Sequence, residues 1–313
     1  MLRTKSANLD YIDPDVAYFL GLLVARGEIS QTGSVRRITM EFPFKNLEVE
    51  GIRKSFNQKN QLIVGLQPTV QRIGELTESN VRQDQTEHSV ILTVESLKDT
   101  MFWRNIRMHI KGKTSYYEFE IPEQVFQADV TVKKEFLRGY ADVAGTARAS
   151  NVDQVGRHRV YLDILNPNWH LPTRLCHLIQ DHLDVPVQTI TYGHPNLRDP
   201  EGKEYKAGRP DAWAREHQIK VYCENFTKIG FYMPHKQEIL EELADYNRLN
   251  FKSRPNFCCP PKRKGGKKFK HPGEKSDKLP KELRGKHFTS YWNICATLGC
   301  WRYQRYMKTQ TTL

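Results

Sequence analysis

No stretch of the chain holds eighteen or more consecutive apolar residues, which argues against a membrane-spanning helix. Its first residues, Met1-Leu2-Arg3-Thr4, lack the apolar segment of a secretory signal. A soluble, intracellular protein, cytoplasmic or nucleoid, with no membrane partner is therefore expected. Cysteine is scarce, at six in 313 residues, and intracellular thiols stay reduced, so a disulfide framework is not expected. Cys176 and Cys223 fall in a predicted helix and strand and read as small buried hydrophobes. Acidic charge is also short, with 36 Asp and Glu against 48 Lys and Arg. That imbalance is local. Residues 250–313 hold 16 basic and 3 acidic residues, whereas the preceding 249 hold 32 and 33.

What the chain does have is an internal repeat. Phe19-Leu20-Gly21-Leu22-Leu23-Val24-Ala25-Arg26-Gly27 and Phe136-Leu137-Arg138-Gly139-Tyr140-Ala141-Asp142-Val143-Ala144-Gly145 share an aromatic-Leu start, a mid-segment glycine and a second glycine six residues later. Asp13 followed by Pro14 is an N-cap followed by a first-turn proline. The apolar run from Val16 then ends at Gly27, a natural C′ residue. A short helix over 14–26 is predicted, and a second over 133–144. Glycine inside a helix costs about 1 kcal/mol relative to alanine, so Gly21 and Gly139 at matched positions predict two backbones in close approach. The two helices are expected to pack on each other.

These residues resemble the LAGLIDADG homing endonucleases and their DNA-binding relatives, in the two-motif, single-chain form. The resemblance spans about residues 10 to 250 and implies an α+β fold: a pseudo-twofold pair of αββαββα repeats, over 1–120 and 121–250. A small basic Cys/His-containing module over 251–313 would follow. In the first repeat, strands are expected at Glu28–Ser30, Val35–Phe44, Gln61–Val70 and Ser89–Val94, with helices at Leu47–Phe56 and Leu97–Ile110. In the second, strands are expected at Thr146–Ser150, His158–Leu165, Val187–Tyr192 and Gln218–Tyr222, with helices at His170–Leu183 and His235–Tyr246.

The resemblance implies an acid just before the terminal glycine of each motif, the pair holding divalent metal over the scissile phosphates. Here those positions are Arg26 and Ala144. Neither ligates Mg²⁺, and an arginine repels it. The nearest acids are Glu28 and Asp142, the candidate catalytic ligands if the chain cleaves DNA with Mg²⁺. Asp142 matches an earlier acidic position of the motif, which in the family more often caps the partner helix.

Alternating basic and polar residues mark the candidate DNA-contacting strands, with Arg36 and Arg37 in the first repeat and Arg157 and Arg159 in the second. In the tail, Lys262, Arg263, Lys264, Lys267 and Lys268 form the densest basic run and suit phosphate contacts; a solvated linker has the same composition. Cys258, Cys259, Cys295 and Cys300 cluster there with His271 and His287, and Cys258, Cys259, His287, Cys295 and Cys300 are the candidate ligands of a structural Zn²⁺. Adjacent cysteines seldom both bind one ion, so the ligand set stays open.

The leading expectation is a monomeric double-stranded DNA-binding protein with an internal pseudo-dimer, and a metal-dependent endonuclease if the altered motif acids still permit cleavage. The alternatives are a non-cleaving DNA-targeting subunit and an RNA-binding, maturase-like protein. An intein fragment is disfavoured, because Met1 leads almost directly into the first motif.

Overall fold

Helix α1 (Pro14–Arg26) starts where the Asp13 carboxylate accepts the Val16 N–H at 2.8 Å, and every residue from Val16 to Ala25 is buried. The computed structural model describes residues 11–97, 99–149, 156–165, 170–195, 215–251 and 287–288. No helix among them is long and apolar enough to cross a membrane. The helix gives way directly to strand β1 (Gly27–Thr32). Gly27 is not a left-handed cap: its φ is −106°. Glycine is needed there because a Cβ would sit 2.3 Å from Leu23 Cδ1 and 2.7 Å from the Leu23 carbonyl oxygen.

The chain continues through β2 (Val35–Pro43), α2 (Phe44–Leu47), β3 (Val49–Glu50), β4 (Ser55–Phe56), α3 (Lys59–Thr77), β5 (Val81–Gln85), β6 (Ser89–Ser96), α4 (Met101–His109) and α5 (Glu123–Gln127). The second motif helix, α6 (Val130–Ala144), leads straight into β7 (Gly145–Arg148). Then come β8 (Arg159–Leu165), α7 (His170–His177) with a π turn over Leu178–His182, β9 (Thr189–Pro195), β10 (Arg215–Tyr222), α8 (Cys223–Phe226), α9 (Pro234–Asn250) and β11 (His287–Phe288). The fold is mixed α+β.

Two compact units partition these elements. One comprises the chain to Leu47, Gln58–Ala144 and Phe231–Pro234; the other comprises Glu48–Asn57, Gly145–Gly230 and the chain from His235.

In the first unit a four-stranded sheet, ordered β1-β2-β6-β5, pairs antiparallel throughout. Ile38, Met40 and Phe42 of β2 and Val90, Leu92 and Val94 of β6 are buried and lie on one face, as strand alternation requires. Both motif helices belong to this unit, and α1 packs along α6. A Cβ on Gly21 would meet the Phe136 carbonyl oxygen at 2.1 Å, and one on Gly139 the Tyr18 carbonyl oxygen at 2.0 Å. The expectation that the matched glycines admit backbone-to-backbone contact is met.

Two expected elements of the first repeat are corrected. Gln61–Val70 is not a strand but part of α3. Its β-branched residues suggest strand, yet Leu62, Leu66, Thr69 and Ile73 are buried at helical spacing. Pro68 inside α3 obstructs the carbonyl of Val64, and Val64 is 70% exposed, so the disturbed turn is on the solvent side. Leu47–Phe56 is not a helix. After the single turn of α2 the chain forms the β3–β4 hairpin, whose turn is closed by the Gly51 N–H on the Lys54 carbonyl at 2.8 Å. Strand β5 has a polar sequence, Val-Arg-Gln-Asp-Gln, and carries no apolar signal.

In the second unit the sheet has seven strands, ordered β11-β9-β10-β8-β7-β3-β4. The hairpin from the first repeat joins it through a parallel bridge between Glu50 and Arg148. One face carries Ala147, Val160, Leu162, Ile164, Ile190, Ile219 and Val221, all buried. Cys176 and Cys223 are fully buried, as expected of small hydrophobes, and burial raises both thiols well above their ordinary pKa.

Candidate nucleic-acid interface

The resemblance implies metal ligands at the ends of the two motif helices. Arg26, the last residue of α1, is paired with Glu41 of β2 at 3.9 Å. Ala144 ends α6 and is 1% exposed. One residue further, the carbonyl of Gly145 accepts a 2.7 Å hydrogen bond from the ammonium of Lys236, a wholly buried lysine on α9. Arginine and alanine thus occupy the two positions at which the resemblance implies hard oxygen ligands.

Asp142, a candidate ligand, lies on α6. It is 0% exposed. One carboxylate oxygen accepts the Tyr18 hydroxyl at 2.7 Å; the other accepts the backbone N–H groups of Tyr232 and Met233, at 3.2 and 3.4 Å, just ahead of α9. A carboxylate so engaged caps backbone and braces the helix pair. It does not face a substrate. Burial, then the neighbouring Asp142 charge, pushes the Tyr18 phenol well above its ordinary pKa, so it stays a phenol.

Glu28 is exposed on β1, opposite Thr39 of β2, with a bridge to Ser115. Among the described residues no group of three or more His, Cys, Asp or Glu side chains is placed to hold a metal ion. The donor set does not fit the two-metal chemistry that the resemblance implies.

The candidate DNA-contacting arginines divide. Arg37 is exposed on the outward face of the first unit's sheet, where it donates to Glu95 at 2.7 Å across strands. Arg36 turns to the other face, 3.6 Å from Asp99. Around Arg37 the outward face also carries Glu28, Glu41, Arg82, Asp84 and Glu95, so acids outnumber bases. Arg157 lies just before β8. It is 4% exposed, ion-paired with Glu224 and stacked 4.4 Å over the Tyr222 ring, which makes it a structural cation of the second unit.

Arg159 lies on β8, whose residues are buried on both faces through Ile164, so it is not on the half-exposed strand that alternation suggests. It sits with groups that sequence reasoning did not single out. Arg148 of β7 is directly opposite Arg159, and Lys220 of β10 is directly opposite Tyr161. The three cations surround the Tyr161 ring, with Arg148 Cζ, Arg159 Cζ and Lys220 Nζ at 4.6, 5.5 and 5.6 Å from its centroid. The signal was in the alternation: Thr146 and Arg148, Arg159, Tyr161 and Asp163, and Gln218 and Lys220 all fall on one face.

Lys262, Arg263, Lys264, Lys267 and Lys268, and the zinc candidates Cys258, Cys259, Cys295 and Cys300, lie outside the described residues; of His287 only the backbone, in β11, is described.

No family model matches the chain, and no curated protein does. Among solved structures, it is similar to I-DmoI in complex with DNA and Ca, at 14% identity and TM-score 0.40, over 75% of this chain and 99% of that one. It is also similar to full-length DUF199/WhiA from Thermatoga maritima, at 12% identity and TM-score 0.38, over 82% and 65%. The N-terminal LAGLIDADG domain of DUF199/WhiA matches at 10% identity and TM-score 0.35, over 76% and 84%.

Proposed function

We propose that this chain is a LAGLIDADG-like double-stranded DNA-binding protein that does not cleave its target. The observation that carries the reading is the glycine-mediated pairing of α1 and α6, each running without a break into a sheet strand. That arrangement answers the repeated motif residue by residue. The donor set among the described residues supports a reading without cleavage. Arg26 and Ala144 stand at the two motif positions, Asp142 is committed to Tyr18 and to backbone, and Lys236 places an ammonium on the Gly145 carbonyl. Glu28 and Glu41, the latter ion-paired with Arg26, are too few ligands for a hard divalent cation. Mg²⁺ therefore has no role in the proposed activity.

Affinity would come from phosphate contacts, with the basic run from Lys262 to Lys268 adding to them and Zn²⁺ at the tail cysteines organising that module. The test uses the full chain, because β11 pairs with β9 and truncation would remove a strand of the sheet. Binding to a mixed-sequence duplex is measured across a salt series, with chelator and with Mg²⁺. The expected result is binding that falls steeply with salt, does not change with Mg²⁺ and leaves the duplex uncut. Replacing Lys262, Arg263, Lys264, Lys267 and Lys268 by glutamine should flatten the salt slope. Preference for a structured RNA of equal length would overturn the DNA assignment, and Mg²⁺-dependent strand breaks would overturn the non-cleaving one.

A further inference from the structure

We infer that the cluster of Arg148, Arg159 and Lys220 around Tyr161 is a phosphate-binding site on the seven-stranded sheet. This rests on the DNA-binding reading and names side chains through which the second unit would grip a nucleic-acid backbone.

The cluster spans three adjacent strands, β7, β8 and β10, so its spacing is fixed by backbone hydrogen bonding rather than by flexible loops. Arg148 lies three residues beyond Gly145, so the site is tied to the end of the second motif. Arg148 and Lys220 are partly exposed, while Arg159 and Tyr161 are buried. Asp163, whose carboxylate accepts from Gln218 at 2.8 Å, lies on the same face, Glu50 is in register with Arg148, and Arg159 donates to the Gln188 side chain at 3.2 Å. The three cations share a face partly withdrawn from water. The repulsion registers on Lys220: burial first, then Arg159 and Arg148, pull its ammonium down to about 8 against the opposing pull of Asp163.

A bound anion would relieve that repulsion, and the donor chemistry favours phosphate. A carboxylate is satisfied by one guanidinium fork, whereas guanidinium and ammonium groups set around one ring offer donors to several tetrahedral oxygens. The Tyr161 ring holds the three heads apart by cation–π attraction.

The test uses full-length protein with two probes, a fluorescein-labelled 30-bp duplex of mixed sequence and inorganic tripolyphosphate. Arg148→Gln and Lys220→Gln should each lower the slope of log affinity against log salt by about 1, and the double variant by about 2. Lys220→Arg, which keeps the charge, should restore the wild-type slope. Tripolyphosphate should raise the melting temperature of the wild type but not of the double variant. Duplex binding with the same affinity and slope in all variants would overturn the phosphate site and leave the DNA-binding reading standing. Failure of the wild type to bind duplex would remove that reading, and the tripolyphosphate shift would then decide the anion site by itself. Equal shifts in wild type and double variant would overturn it.

Discussion

The Tyr18 phenol donates to the Asp142 carboxylate at 2.7 Å, joining α1 to α6 across 124 residues of chain and out of contact with water. Thr69 of α3 shares the same phenol at 2.9 Å. Tyr18→Phe strips Asp142 of its hydroxyl donor and leaves a buried carboxylate under-bonded, which should cost about 1–3 kcal/mol. Asp142→Asn keeps an oxygen for the Tyr232 and Met233 amides and should cost less than Asp142→Ala. Urea unfolding of the three variants checks the order. Wild-type stability in all three variants would show that the Tyr18–Asp142 contact does not brace the helix pair.

Gly21 and Gly139 should behave as one contact. The Cβ of Gly21→Ala would press on the Phe136 carbonyl and that of Gly139→Ala on the Tyr18 carbonyl. Both obstacles are backbone and cannot rotate away. Each substitution should destabilise by about 1–3 kcal/mol or more. Once one methyl has forced the helices apart, the second meets a wider gap, so the double variant should lose less than the two losses added. Strict additivity in denaturant titrations would show that the two glycines do not share an interface.

The helix pair was legible in the sequence because its constraint is local and repeated: a capping Asp13, an apolar run and two glycines at matched positions. The second unit's strands were legible for the same reason, since alternation survives in Arg159–Leu165 and Arg215–Tyr222. The segment between Leu47 and Val70 was not. Its β-branched residues and Pro68 argue against helix locally, while the burial of Leu62, Leu66 and Ile73 is tertiary. At the candidate site, Arg26 and Ala144 announced the missing metal ligands directly. The role of Lys236 was hidden, because a lysine on a helix ordinarily sends its ammonium to water. The cluster around Tyr161 was hidden too, because it needs the register of three strands distant in sequence.

The depressed ammonium of Lys220 gives a pH signature. Its folded pKa of about 8 lies below the ordinary lysine value of 10.5, so between those values the unfolded chain binds more protons than the folded one. Stability must therefore rise with pH across that window. The penalty is fully present below about pH 8 and is relieved above it. Wild type minus Lys220→Met, compared by urea unfolding at pH 7 and pH 9.5, isolates this one group. The difference should shift in favour of the wild type at the higher pH. A pH-independent difference would place the ammonium in a less repulsive setting than Arg148 and Arg159 provide.

Among the described residues the motif ends carry Arg26 and Ala144, and replacing both by acids is a strong test of the scaffold reading. Arg26→Asp with Ala144→Asp restores an acid just before each terminal glycine. The carboxylate at 144 would enter a position that is 1% exposed, so the metal-free double variant should be less stable than wild type by about 1–3 kcal/mol. Added Mn²⁺ should then recover part of the loss, because a ligand that binds only the folded state stabilises it in proportion to its occupancy. Wild type, with Arg26 and Ala144 in place, should show no such shift. The measurement is the melting temperature against Mn²⁺ concentration for wild type, the two single variants and the double. Only the double should respond, since one acid supplies too few hard ligands. An equal response in wild type would mean that metal binds elsewhere, and no response in the double variant would mean that the helix ends are not the place where this scaffold holds metal.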